Sequence, residues 1–84
     1  MADSFLLNAL RLIRSVEALS VQEQRLLDTL IGAADAGIYW DTLSRWNAID
    51  PNFELMVQNI AGKARFAGLA PELEKLRDAQ VAAV

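Results

Sequence analysis

The stretch 50–68 restricts the fold more than any other part of the chain, because it carries a helix start, a helix stop and a helical apolar period between them. Asp50 offers a side-chain oxygen to the free N–H groups of a first turn. Pro51 supplies a fixed φ where no N–H is needed, and Gly68 can adopt the left-handed closing conformation. These signals predict a helix over residues 51–67.

Projected at about 100° per residue, Phe53, Met56, Val57, Ile60, Ala64 and Ala67 form one core-facing stripe. Leu55 and Phe66 fall on the opposite side, with Asn59 and Gly62 between them. Either the chain's own termini cover these two residues, in a helix that runs through the middle of the fold, or they are a contact surface for another chain. A mid-helix Gly costs about 1 kcal/mol relative to Ala, so Gly62 is expected where another backbone comes close.

Before this helix the chain divides into three more. Asp3 or Ser4 can cap the first, which is expected to continue to about Leu19. Phe5, Ala9, Leu12, Val16 and Leu19 make one apolar stripe and Leu6, Leu10 and Ile13 its neighbour, an arc wide enough to want two partners. Leu7 lies among Arg11, Arg14 and Ser15 and is expected at the surface. Ser20-Val21-Gln22-Glu23 fits a capping box and opens a second helix with Leu26, Leu27, Leu30, Ile31, Ala33 and Ala34 inward. Gln22, Arg25, Asp28 and Thr29 face water, and Gly37 closes it. Residues 38–48 read as a short helix with Tyr39, Leu43 and Trp46 on one stripe, Trp40 at its edge and an i, i+4 pair of Asp41 with Arg45 outside.

After Gly68, Pro71 can start a fifth helix. Its stripe of Leu73, Leu76 and Val84 is weak, Glu74 and Asp78 repel, and residues 80–84 are expected to fray. The expected architecture is a single all-α domain over residues 1–84, a compact bundle of four to five short helices. In it the 51–67 helix packs on the first two and the aromatic segment closes one end.

Function classes are limited mainly by what the chain lacks. Without Cys or His there is no disulfide, no thiolate or imidazole metal site and no Ser/His or Cys/His nucleophile pair. Asp35, Asp41, Asp50 and Glu54 stand near one another but match no calcium loop, and no Gly-rich phosphate cradle is present. The chain is therefore read as a non-enzyme with no cofactor and no bound metal. The first apolar run is interrupted by Asn8, Arg11, Arg14 and Glu17, so neither a signal segment nor a membrane span is expected. Cytoplasmic residence follows as the expectation.

A net charge of −3 with dispersed basic residues argues against DNA as a partner. The hydrophobic fraction of 54% exceeds the ~45–50% of an average domain, a reason to expect another protein or a second copy, hence a homodimer. Trp40, Leu55, Gly62 and Phe66 are the candidate partner-binding residues.

A finer version makes Asp28, Asp35, Asp41 and Asp50 an acidic face. That face would belong to a regulator of the small bacterial or phage type, a phage or mobile-element inhibitor covering a basic nucleic-acid site on a host complex. The alternative is a dimeric helix-turn-helix-like DNA-binding regulator. Its recognition helix would be the 38–48 segment, with Arg45 and Asn47 reading bases.

Overall fold

The computed structural model describes residues 4–83. Five helices follow in order: α1 Ser4–Arg14, α2 Val21–Asp35, α3 Tyr39–Ile49, α4 Phe53–Phe66 and α5 Ala70–Ala83. The all-α class expected from the sequence is the one found. Asp3 and Val84 lie outside the described residues.

α1 is shorter than its apolar period suggests. The Ser15 N–H is shared between the carbonyls of Arg11 and Leu12, and the Val16 N–H donates to Ile13 O at 3.1 Å, the tightened pattern of a closing turn. The Ser15 hydroxyl donates to Leu12 O at 2.6 Å, competing with the helical bond. The backbone must leave the helix before Ser20, whose φ −70° and ψ 166° are extended so that its side chain can cap α2. Val16 and Leu19 are nonetheless buried, carried into the core by turns.

The capping box forms as expected. The Glu23 N–H donates to Ser20 Oγ at 3.1 Å, and the Ser20 N–H donates to Glu23 Oε1 at 2.7 Å. α2 and α4 then end in the same way. Ile38 N–H donates to Ala33 O and Gly37 N–H to Ala34 O; Leu69 N–H donates to Ala64 O and Gly68 N–H to Arg65 O. In both, the glycine has positive φ, 78° at Gly37 and 84° at Gly68, the Schellman closure that a side chain would strain.

The start of α4 differs from the expectation by two residues. Asp50 Oδ1 accepts the Asn52 N–H at 2.9 Å and Asp50 O accepts the Phe53 N–H at 3.2 Å. Asp50 and Pro51 thus build the turn that leads into the helix, and Asn52 is its N-cap. α5 runs through Ala83, beyond the point at Gln80 where fraying is expected.

The least exposed large side chains are Leu10, Ile13 and Leu26, so the core is centred between α1 and α2. α1 packs on both α2 and α5, whereas α4 lies against α5 and, less extensively, α3. The expectation that α4 packs on the first two helices is corrected by this arrangement: its backbone runs nearest α5 and α3, and it reaches α2 through Lys63 and Glu23. With neighbours on two sides, the buried arc of α1 extends to Leu7, 7% exposed. The surface placement expected for Leu7 is therefore wrong, while Phe5 and Leu12 at the arc's other edge are exposed. Lys75 of α5 sits over the Phe5 ring at 5.6 Å. α3 joins α4 through Trp46 and Phe53, whose rings lie 5.3 Å apart.

Candidate interaction surface

α4 presents two unlike faces because its apolar residues recur at two angles. Phe53, Ile60 and Ala64 are buried and Met56 is half-buried, which is the inward stripe. Val57 and Ala67, expected on that stripe, are exposed at its margin. On the far side Leu55, Asn59, Gly62 and Phe66 form one exposed row.

Leu55 is 58% and Phe66 95% exposed. Coverage of these two residues by other parts of the chain is not what the described residues show. An aromatic ring that open to water is unfavourable by the transfer energy of its apolar surface, and it stands at one end of the row with Leu55 at the other. Gly62 stands between the two. A Cβ built there meets nothing within 4 Å, so no close approach within the chain accounts for a glycine at a position where Ala is the better helix former.

Trp40 is in a different situation. It packs edge-on against Tyr39 at 4.7 Å between ring centroids and is half-buried on the core, leaving only part of its indole for another molecule. Trp46 and Leu43 are likewise half-buried against the core.

The four acidic residues do not act alike. Asp28 receives Arg14 through Nε at 2.8 Å and a second guanidinium nitrogen at 3.4 Å. Asp41 pairs with Arg45 at 3.2 Å, as the i, i+4 spacing implies. Asp50 serves its own turn, and Asp35 is exposed at the end of α2. Two of the four charges are thus locally offset by guanidinium groups. On α3, Arg45 and Asn47 are both exposed, with the Arg45 charge shared with Asp41.

One polar residue escaped the sequence reading. Glu23 is only 5% exposed, and Lys63 of α4 donates to its Oε1 at 2.6 Å. The capping box signals the Glu side chain, but nothing local signals a partner forty residues away.

No helix among the described residues is long and apolar enough to cross a membrane. Comparison with protein-family models, with curated proteins and with solved structures finds no match to this chain.

Proposed function

We propose that the chain is a non-enzymatic protein–protein interaction module of the cytoplasm that acts by occupying a surface, and that it pairs with a second copy of itself through the outer face of α4. The observation that carries this reading is the near-complete exposure of Phe66 in line with Leu55 and the open Gly62.

The row is self-complementary. Antiparallel packing about a two-fold axis midway along it sets Leu55 of one copy against Phe66 of the other and Asn59 against Gly62. A two-fold contact requires this reciprocity, and the glycine lets the two helices approach closely. Burying both apolar ends removes the most exposed ring among the described residues from water.

Because the chain has no Cys, the register can be tested by mixing Leu55→Cys and Phe66→Cys chains under mild oxidation. The mixed disulfide should dominate over either self-disulfide. Equal yields of all three products, or none, would reject the antiparallel register.

A dimer keeps the DNA-binding reading in view, since exposed Arg45 and Asn47 on α3 would then be presented twice. Selection from a random DNA pool tests it, with Arg45→Ala expected to relax any preference found. The inhibitor version relies on Asp28, Asp35, Asp41 and Asp50 meeting a basic partner. The pairing of two of these with arginines leaves it less charge to offer than the sequence suggests, and unchanged affinity after Asp→Asn substitution at these positions would dismiss it.

A further inference from the structure

α4 carries three charged residues, Glu54, Lys63 and Arg65. Lys63 is turned toward α2, where its Nζ donates to Glu23 Oε1 at 2.6 Å. Glu54 and Arg65 remain, one of each sign. Both are exposed, and neither makes an ion pair among the described residues.

Their places on the helix are tied to the exposed row. Glu54 precedes Leu55 and Arg65 precedes Phe66, so each stands one step of about 100° from an end of the row, on the same flank of it. The same eleven-residue interval separates the two charges and the two apolar ends. Met56 and Lys63 project on the other flank.

A second copy of α4 can meet this pattern in two directions. In a parallel pair, the flank with Glu54 and Arg65 faces the other flank of the second copy, and Arg65 comes beside Lys63 of that copy, a like charge. In an antiparallel pair, the two-fold axis brings the same flank of each copy together. With Leu55 opposite Phe66, Glu54 of one copy and Arg65 of the other are out of step by two residues, about 3 Å along the axis at a rise of ~1.5 Å per residue. Two long side chains span that offset, and the axis generates the contact twice. The acidic first turn of α4 also meets a basic last turn.

We propose that the second copy is locked antiparallel on α4 by two reciprocal ion pairs, Glu54 of each copy with Arg65 of the other. This deepens the pairing through α4 proposed above and rests on it. The apolar row supplies the burial, and the two charges choose the orientation and reject helices with another charge order.

The test is charge reversal in two separate full-length chains, read by analytical ultracentrifugation at low salt. Glu54→Arg leaves two arginines on the flank and Arg65→Glu leaves two carboxylates. Either chain alone meets like charge at both contacts and should self-associate about tenfold more weakly than the wild type. Mixed in equal amounts, the two chains meet unlike charge at both contacts and should pair with each other at close to the wild-type affinity. Salt at about 1 M should shrink both differences. If a reversed chain loses its helical circular dichroism, one chain with Glu54→Gln and Arg65→Gln carries the test; it should self-associate more weakly than the wild type and depend less on salt. Reversed chains that self-associate as the wild type does, a mixture with no preference for the mixed pair, or unchanged association in the double Gln chain would overturn the ion pairs while leaving the apolar contact standing. A wild type that is monomeric at every concentration would overturn both.

Discussion

Lys63 Nζ donates to Glu23 Oε1 at 2.6 Å, onto the same oxygen that accepts the Ser20 N–H at 2.7 Å. The carboxylate that starts α2 therefore also ties α2 to α4. Burial by itself would raise the Glu23 pKa, but hydrogen bonds from Lys63 and from Ser20 outweigh it and hold the group below its ordinary 4.5. A depressed carboxylate contributes stability that is present above the unfolded value and is lost as pH falls through the folded one. Stability against denaturant should thus fall as pH drops below 4.5, with a shallower slope in Glu23→Gln. Glu23→Ala, which removes cap and ion pair together, should cost about 2 kcal/mol at neutral pH.

Tyr39 titrates in the other direction. Burial pushes its phenol up to about 12 from 10.0, so the fold favours the neutral form, and this contribution is full below pH 10 and is lost as pH rises through the folded value. Tyr39 is the single tyrosine of the chain, which makes the phenolate absorbance unambiguous. Its midpoint should lie near 12 in the folded protein and fall to about 10 in denaturant. A midpoint near 10 in both states would mean that Tyr39 is open to solvent.

The glycines separate backbone need from surface role. Gly37→Ala and Gly68→Ala force a side chain into the left-handed region and should each cost about 1 kcal/mol. Gly62→Ala, with nothing within 4 Å of the added carbon, should stabilise the single chain by up to ~1 kcal/mol. In the proposed pair the same methyl stands between two helices, so self-association should weaken while thermal stability at low concentration rises. A variant that gains both would place Gly62 outside the contact.

The link between α3 and α4 rests on Phe53, buried and stacked near Trp46. Phe53→Ala should cost ~3–4 kcal/mol, a large share of what a chain this short can hold. Tryptophan fluorescence should report the loss at Trp46. A cost below about 1 kcal/mol would show that α4 is held by other contacts.

Where local chemistry sets a structure, the sequence is readable. Ser20 with Glu23 and Gly37 bound α2 at both ends, and the i, i+4 spacing of Asp41 and Arg45 foretells their ion pair. Apolar period alone misleads at α1, because Val16 and Leu19 stay buried after the helix has ended. Leu7 shows the limit of a helical projection, which gives the angle of a residue but not the number of helices around it. The second row on α4 is visible in the spacing of Leu55 and Phe66, yet its exposure depends on where α1 and α5 pack.

The most direct test of pairing through α4 is the mass in solution by light scattering across a concentration series, for the wild type and for Leu55→Glu with Phe66→Glu. The wild type should rise from 9.3 kDa toward twice that mass, and the double variant should remain a folded monomer at every concentration. A wild type that stays at the monomer mass throughout, or a double variant that unfolds, would contradict the account.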